Sequence, residues 1–314
     1  MIPLPDRAAV EAAAARIAGR VRSTPVVALE RGAFGLDRVR GLVLKLESLQ
    51  HAGSFKPRGA LNRVLAAGRP PGAGLIAASG GNHGAAVAWV GRVLGLPAEI
   101  FVPAIASPAK VRRLRDFGAT VHVGGASYSE ALAACEVRRA ESGALAVHAY
   151  DDPDVVAGAG TLAREFEQQA GALDSVLVAV GGGGLLGGLL AWWGERVRVI
   201  AVESVGCPTL HDALAAGHPV DVAVSGLVAD SLGARRIGTL GWQLARRYPV
   251  TSLLVEDAAI RDAQHALWRD LRVAAEPGAA TALAALLSGA YRPAAGERVG
   301  VIVCGGNADL AALV

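Results

Sequence analysis

Short apolar runs alternate with alanine-rich stretches along most of the chain, and this alternation limits the possible folds more than any other feature of the sequence. The predicted strands are Leu42–Glu47, Gly74–Ala78, Glu99–Val102, Thr120–Val123, Val147–Tyr150, Ser175–Val180, Val197–Glu203, Ser252–Glu256 and Arg298–Cys304. The predicted helices include Asn82–Leu94, Pro108–Phe117, Tyr128–Glu141, Pro153–Gln169, Ile260–Leu271 and Pro277–Leu287. This pattern predicts an α/β fold with parallel sheets covered on both faces, and with ligands where strand ends meet helix starts.

The composition excludes several classes of protein. With 314 residues, 52% hydrophobic and 19% charged, the chain is long enough for two domains and too apolar to be disordered. The net charge is +3 without a basic stripe between aromatics, so we expect no nucleic-acid partner. The three cysteines lie far apart, which excludes a disulfide framework or a thiolate zinc site. The start, MIPLPDRAA, lacks the features of a secretory leader, and we expect a cytoplasmic protein.

The uncharged segment 175–194, SVLVAVGGGGLLGGLLAWWG, is long enough to span a membrane. However, it contains seven glycines, and each would cost a helix about 1 kcal/mol relative to alanine. A buried strand, a glycine turn and a short buried helix explain the segment better. We therefore expect no membrane span.

The glycine turn of this segment has two functional interpretations. Residues 182–187 match G-x-G-x-x-G after a predicted strand, and Glu203 lies 21 residues beyond Gly182, which is the spacing of a nicotinamide-binding domain. More generally, small residues before a helix let backbone N–H groups approach any phosphate, and the helix dipole favours the anion. A tight turn that only packs a helix on a strand is the structural alternative.

Only three of the 31 basic residues are lysines, and Lys56 stands between Phe55 and Pro57 at the expected start of a helix. Apolar neighbours and a positive helix end disfavour the charged amine and keep it nucleophilic. Such an amine forms a Schiff base with an aldehyde, which arginine cannot do. The alternative is an exposed lysine without a chemical role.

Two further loops of small and polar residues follow predicted strands. The loop 79–83, SGGNH, opens a helix, where hydroxyl, amide and backbone donors suit a carboxylate or a phenolate. Its His83 is either a structural or a functional histidine. The loop 304–307, CGGN, closes the last predicted strand.

Together these segments resemble the motifs of the serine/threonine dehydratase family of pyridoxal-phosphate enzymes, which has fold type II. The matching segments are SFKPRGA (54–60), SGGNHG (79–84), GGGGLLGG (181–188) and CGGN (304–307), with a weaker match at EPGAA (276–280). The resemblance covers nearly the whole chain and implies that the glycine turn holds the cofactor's phosphate. It also implies two open parallel-sheet α/β domains with the cofactor in the cleft between them. The small domain would comprise residues 44–149 and the large one 1–43 with 150–314, without a C-terminal regulatory domain.

The resemblance also implies roles for individual residues. Lys56 would hold pyridoxal 5'-phosphate as a Schiff base and then remove the substrate's Cα proton. Cys304 would face the pyridine nitrogen and, as a thiol, leave the ring nearly neutral, which favours loss of a β-substituent. The implied cofactor-binding residues are Phe55, Lys56, Asn82, Gly181, Gly182, Gly183, Gly184, Leu185, Glu276 and Cys304. The implied substrate-binding residues are Ser79, Gly80, Gly81, Asn82 and His83.

The implied reaction is β-elimination by an ammonia-lyase, which converts L-threonine to 2-oxobutanoate and L-serine to pyruvate, with release of ammonia. One alternative is a pyridoxal-phosphate racemase or a dehydratase of another 3-hydroxy amino acid, and another is a nicotinamide-dependent oxidoreductase. Related serine racemases carry a serine as the second acid/base where this chain has Gly80. We therefore expect little racemisation.

The resemblance further implies a monovalent cation site and an assembly. Segments 203–211 and 231–234 resemble the loops that bind such a cation, here K⁺, in animal serine dehydratases. The implied oxygen ligands come from Glu203, Cys207, Thr209, Leu232 and Ala234. Thr209 stands where a divalent site needs an acid, and an ion pair between Glu203 and an arginine is the alternative. The implied assembly is a homodimer that binds a small amino-acid substrate.

Overall fold

The computed structural model describes residues 3–37, 39–68 and 72–313. Within these residues the helices are α1 (Arg7–Ile17), α2 (Lys56–Ala66), α3 (Asn82–Leu94), α4 (Pro108–Asp116), α5 (Tyr128–Ser142), α6 (Pro153–Ala170), α7 (Gly184–Trp193), α8 (Thr209–Ala216), α9 (Ala229–Leu232), α10 (Thr239–Arg247), α11 (Asp257–Leu271) and α12 (Pro277–Leu287). The strands are β1 (Val26–Leu29), β2 (Gly41–Leu46), β3 (Leu75–Ala78), β4 (Ala98–Val102), β5 (Thr120–Val123), β6 (Leu145–Ala146), β7 (Ser175–Ala179), β8 (Arg198–Ser204), β9 (Val250–Val255) and β10 (Arg298–Val303). Single 3₁₀ turns lie at Ala33–Gly35, Glu47–Leu49, His51–Gly53 and Leu310–Ala312.

The strands form two sheets. The larger sheet has six strands in the order β1-β2-β10-β7-β8-β9, and only the β1–β2 pair is antiparallel. The smaller sheet has four parallel strands in the order β5-β4-β3-β6. The central strands are buried on both faces, as expected for parallel strands between helix layers. The predicted α/β class with two parallel-sheet domains is confirmed.

Local sequence signals explain where the helices begin and end. Asp152 caps α6 by accepting the N–H groups of Asp154 and Val155, and Pro153 occupies the first turn, where its missing N–H costs nothing. At α5, the Ser127 side chain accepts the Glu130 N–H, and the Glu130 carboxylate accepts the N–H of Ala126, which is similar to a capping box but uses the residue before the N-cap.

Segment 175–194 forms β7, a turn and the ten-residue helix α7, as predicted. Every residue of α7 is buried, which accounts for its uniformly apolar sequence. In the part of the chain that the structure describes, no helix combines the length and the apolarity needed to cross a membrane.

Several elements differ from the sequence-based predictions. The strand predicted at Val147–Tyr150 is wrong, because the strand that pairs with β3 is the two-residue β6, and residues 147–150 form a loop after it. The expected domain boundary at residue 44 falls inside β2, which pairs with β10 along its whole length in the larger sheet. Strand β1 and helices α1, α8, α9 and α10 were not predicted.

Candidate active site

The loop before α2 is joined to the end of β10 by backbone hydrogen bonds. Ser54 and Gly305 form an antiparallel bridge, the Phe55 N–H donates to the Cys304 carbonyl at 3.0 Å, and the Gly306 N–H donates to the Gly53 carbonyl at 2.9 Å. These bonds bring the first residue of α2, Lys56, beside Cys304, although 248 residues separate them in sequence.

Lys56 is half-buried, and its Nζ donates a hydrogen bond to the Ala149 carbonyl at 2.8 Å. The same nitrogen lies 5.0 Å from the centroid of the Phe55 ring. Desolvation lowers the pKa of Lys56 to about 8, and neighbouring Cys304 and Glu276 act in the opposite direction. A lysine in this environment has a larger neutral, nucleophilic fraction at physiological pH than an exposed one.

Cys304 directly follows β10, and its side chain is buried, with Sγ 4.0 Å from the Gly278 carbonyl oxygen. Burial raises the pKa of this thiol well above its ordinary value. The thiol therefore stays protonated and uncharged at neutral pH.

The side chain of Asn82, the first residue of α3, is held by two partners. Its Nδ2 donates to Glu276 Oε1 at 2.6 Å, and its Oδ1 accepts from Asn307 Nδ2 at 2.5 Å. Glu276 precedes α12 and is buried, which raises its pKa to about 7. The asparagine loop (residues 79–83) and the CGGN loop (residues 304–307), which carry two of the quoted motifs, therefore meet at one point.

The other side chains of the asparagine loop serve its own structure. The Gly81 N–H donates to Ser79 Oγ at 3.3 Å, and a His83 ring nitrogen lies 2.7 Å from the Val147 carbonyl oxygen. Desolvation lowers the pKa of His83 to about 3, so the ring is neutral and donates this hydrogen bond. The structural interpretation of the His83 side chain is therefore favoured over a catalytic one.

The glycine turn passes close to its neighbours without side chains of its own. A Cβ on Gly182 would overlap the Tyr150 ring, and a Cβ on Gly181 would lie 2.9 Å from the Leu232 carbonyl oxygen. Gly183 has a φ of +85°, a conformation that favours glycine. No side chain caps α7 at this turn. The turn, Lys56 and Cys304 border one cavity of about 50 Å³.

The expected cation-site residues also lie near this turn. The buried Glu203 accepts the N–H groups of Leu210 and His211, both at 2.8 Å, and its carboxylate lies 3.0 Å from the Thr209 hydroxyl. Thr209 Oγ1 also donates to the Gly181 carbonyl at 2.6 Å. Burial raises the pKa of Glu203 to about 7. Its observed partners are thus main-chain and hydroxyl groups at the start of α8, and no arginine among the described residues pairs with it, which contradicts the ion-pair alternative.

The remaining expected ligands surround this cluster. The Thr209 N–H donates to the Cys207 carbonyl at 3.1 Å, and the Ala234 N–H donates to the Leu232 carbonyl at 2.8 Å. Among the described residues there is no cluster of three histidine, cysteine or acidic side chains able to hold a metal ion.

The structure adds residues that the motifs did not indicate. Tyr150 packs against the glycine turn, and its ring lies edge-on to that of His148. Lys110 of α4 forms an ion pair with Asp230 of α9, which joins elements of the two sheets across the cleft. Because the chain has only three lysines, Lys110 could have been singled out from the sequence, whereas nothing in the sequence indicated a role for Tyr150.

The chain matches the family model "Pyridoxal-phosphate dependent enzyme" over residues 17–305. It belongs to this family. It is 37% identical to a phenylserine dehydratase of Ralstonia pickettii, over 98% of this chain and 95% of that protein. It is also 37% identical to an L-threonine ammonia-lyase of Geobacter sulfurreducens, over 86% of this chain and 68% of the relative. Among solved structures, maize serine racemase has a TM-score of 0.92 and 32% identity, covering 99% of this chain and 96% of that one.

The residues present fit the cofactor of this pyridoxal-phosphate-dependent family. The glycine turn leaves no room for side chains, and the uncapped start of α7 provides the N–H groups that suit a phosphate. The Lys56 amine borders the same cavity. Membership of this pyridoxal-phosphate-dependent family argues against the nicotinamide interpretation. The carboxylate of Glu203 is also fully buried and already accepts the N–H groups of Leu210 and His211.

Proposed function

We propose that the protein is an ammonia-lyase that removes water and ammonia from L-threonine and L-serine by β-elimination. The observation that carries this proposal is the set of side chains in the asparagine loop. Gly80 and Gly81 have none, the Ser79 hydroxyl accepts the Gly81 N–H, and the His83 ring is neutral and bonded to the Val147 carbonyl. The loop therefore offers no side chain at position 80, where related serine racemases carry the second acid/base that returns a proton to Cα. Relatives named as a dehydratase and an ammonia-lyase support the same choice.

Lys56 performs the proton transfer in this proposal. Pyridoxal 5'-phosphate, when bound, supplies an aldehyde for the amine and an electron sink for the bond broken at Cα. Once the substrate's amino group replaces it there, the Lys56 amine removes the Cα proton. Its lowered pKa of about 8 favours the neutral base that this step requires. The β-hydroxyl then takes up the proton that Lys56 carries and leaves as water, and hydrolysis of the enamine product gives the 2-oxo acid and ammonia.

Residues of the two loops would orient the cofactor and the substrate. Gly181–Gly184 and Leu185 would bind the phosphate through main-chain N–H groups. Asn82 Nδ2 has one hydrogen bonded to Glu276, and its second hydrogen is suited to the cofactor's phenolic oxygen. Ser79 and the main chain of 80–83 would hold the substrate's α-carboxylate at the start of α3, where the helix dipole favours an anion.

Cys304 would control which bond breaks. A buried thiol that stays uncharged cannot keep the pyridine nitrogen protonated as a carboxylate would. The ring then withdraws electrons less strongly, which favours prompt loss of the β-hydroxyl over transamination.

We also propose that K⁺ binds at Glu203, Thr209 and the main-chain carbonyls of Cys207, Leu232 and Ala234. The support is their assembly beside Gly181, since Thr209 Oγ1 donates to the Gly181 carbonyl and lies 3.0 Å from the Glu203 carboxylate. A bound cation would thus stabilise the phosphate-binding turn. A cytoplasmic homodimer is a prediction from the family resemblance, and sedimentation of the purified protein tests the dimer.

The test of the proposed function starts from the purified holoenzyme. An absorbance band at about 410–420 nm that borohydride removes would report the lysine Schiff base. Release of 2-oxobutanoate from L-threonine and pyruvate from L-serine would report elimination. Lys56→Ala should remove both the band and the turnover, and Lys56→Arg, which keeps the charge, should do the same because a guanidinium forms no Schiff base. Turnover by Lys56→Ala at a comparable rate would exclude the assignment.

Chiral chromatography of an L-serine reaction separates elimination from racemisation. We expect pyruvate and ammonia, with little D-serine. Substantial D-serine would favour the racemase alternative, as in the serine racemase of similar fold.

A further inference from the structure

A second cavity, of about 210 Å³, opens from the asparagine loop toward α4. Its wall includes Gly80, Gly81 and Asn82 on one side, and Lys110 and Arg113 of α4 on another. It is larger than the cavity at Lys56, and Ser231 borders both. A substrate whose α-carboxylate lies on the loop 79–83 would therefore extend its side chain into a space lined by α4.

Arg113 is the distinctive side chain of this cavity. It is half-buried, and its Nη2 donates to the Ala52 carbonyl, which also accepts a hydrogen bond from Asn307 Nδ2. Since Asn307 also donates to Asn82, three hydrogen bonds in series connect the guanidinium to the asparagine loop. Burial lowers the pKa of Arg113 from its ordinary value, and the nearby Glu276 acts in the opposite direction.

Three acids line the cavity, Asp230, Glu276 and Asp309, and none of them forms an ion pair with this guanidinium. Asp309 is exposed to solvent. Asp230 is paired with Lys110. Glu276 is held by Asn82, and burial raises its pKa to about 7, so it is partly protonated at neutral pH. Within the described part of the chain Arg113 forms no ion pair with a carboxylate. A half-buried cation with free donors on a cavity wall favours an anionic ligand, because burial of an unpaired charge is costly.

We propose that Arg113 binds a second carboxylate, on the substrate's side chain, so that the preferred substrates are 3-hydroxy amino acids of the 3-hydroxyaspartate class. The inference rests on the proposed β-elimination. The Cα–H bond breaks and its proton passes to Lys56. The Cβ–O bond then breaks, and the departing hydroxyl takes up this proton and leaves as water. Hydrolysis of the enamine breaks the C–N bond and gives the 2-oxo dicarboxylic acid and ammonia without any redox change. An aromatic side chain would instead place a ring against charged groups.

The kinetic test compares substrates within each enzyme. For the holoenzyme, kcat/KM is measured with L-threo- and L-erythro-3-hydroxyaspartate, L-threonine and phenylserine. We expect the better 3-hydroxyaspartate isomer to exceed both other substrates. In Arg113→Met, its kcat/KM relative to that of L-threonine should fall roughly 10- to 100-fold, the effect of losing one charge-assisted contact. Arg112→Met, an exposed neighbour on α4, is the matched control and should not change the ratio.

An equal decrease in kcat/KM for L-threonine and 3-hydroxyaspartate in Arg113→Met would overturn the proposal, because Arg113 would then bind the α-carboxylate that both substrates share. Phenylserine as the best substrate would overturn it as well.

A binding test distinguishes this proposal from the proposed function. Succinate and butyrate have four carbons each and differ by one carboxylate, so their effects on the thermal unfolding midpoint of the holoenzyme can be compared directly. We expect greater stabilisation by succinate, and loss of the difference in Arg113→Met but not in Arg112→Met. Equal effects of the two acids on the unmodified enzyme would overturn the second-carboxylate site whether or not elimination occurs. Absence of oxo acid from every substrate would instead contradict the proposed function.

Discussion

A buried ion network near the start of α2, the helix that begins at Lys56, makes a testable contribution to the stability of the protein. Arg58, two residues further along α2, donates Nε and Nη2 to the two oxygens of Glu47, both at 2.8 Å. Its Nη1 lies 3.0 Å from Glu165 of α6, which also pairs with Lys45 of β2 at 2.5 Å. Arg58 is 1% exposed and Glu47 is fully buried. The network thus ties the helix that begins at Lys56 to the larger sheet and to α6.

Arg58→Met should be strongly destabilising, because it removes one cation from a balanced set of two cations and two carboxylates. In this variant Glu165 would retain its ion pair with Lys45, whereas Glu47 would retain only the hydrogen bond from the Thr24 hydroxyl, at 2.5 Å. Removing one partner of a buried ion pair costs about 3–5 kcal/mol, because the other charge is left uncompensated. We expect a decrease of that size in the free energy of unfolding.

Urea denaturation of the holoenzyme, followed by circular dichroism, measures this loss. The matched control is Arg164→Met, because Arg164 precedes Glu165 on α6 and pairs with Glu11 at the surface, at 2.7 Å. That change should cost less than about 1 kcal/mol. Arg58→Met combined with Glu47→Gln should be more stable than Arg58→Met alone, since the uncompensated charge is gone. A loss below about 1 kcal/mol for Arg58→Met, or a double variant no more stable than the single one, would refute the reasoning.

Four further predictions concern the site. Cofactor-free protein should form its Schiff base with pyridoxal phosphate at a rate that rises with pH and levels off above about pH 8, because only the neutral Lys56 amine reacts. Stopped-flow absorbance measures this rate. A rise that continues to about pH 10 would contradict the lowered pKa of Lys56. Cys304→Asp should introduce slow transamination, seen as progressive inactivation during turnover, and unchanged progress curves would mean that Cys304 does not face the ring. K⁺ should activate more than Na⁺, and Glu203→Gln should abolish that difference; indifference of the unmodified enzyme would leave Glu203 a structural cap of α8. Gly80→Ser should add some D-serine formation, and the side chain fits because a Cβ at this position would lie 3.5 Å from its nearest neighbour. Chiral chromatography measures the D-serine, and its absence would contradict the inferred geometry.

The sequence predicted the elements whose signals are local. Helices α3 and α12 and strand β5 have the predicted bounds, because glycine and proline lie at or near their ends. Strand β1 was missed because it is a four-residue edge strand without clear alternation.

The strand predicted at 147–150 failed for a functional reason. These residues are apolar enough for a strand, but their main chain bonds to the site instead of to a sheet. The Val147 carbonyl accepts from His83, and the Ala149 carbonyl accepts from Lys56. Such partners come from distant parts of the chain, and no local periodicity reveals them.

The motif residues were predictable from the sequence, but their surroundings were not. Lys56, Asn82 and the glycine turn lie around one cleft, as the resemblance implies. Arg113 gained its importance only from the structure, because it contacts Ala52, 61 residues away, and lines a cavity together with the loop 79–83 and with residues more than a hundred positions further along the chain. An arginine in an exposed-looking helix carries no such signal in a chain with 31 basic residues.

The two sheets divide the chemistry between them. Backbone hydrogen bonds between residues 53–55, just before α2, and residues 304–306, at the end of β10 in the larger sheet, fix the positions of Lys56 and Cys304 relative to each other. The loop 79–83 and Arg113 belong to the smaller sheet and its helices, and they meet the larger part through Asn82–Glu276 and Lys110–Asp230. If Arg113 and Lys56 have the proposed roles, changes in α4 would alter which substrate is held without moving the base relative to the thiol. The same separation would allow relatives of one fold to include a phenylserine dehydratase and an L-threonine ammonia-lyase, since selection of the side chain and proton transfer would depend on different elements.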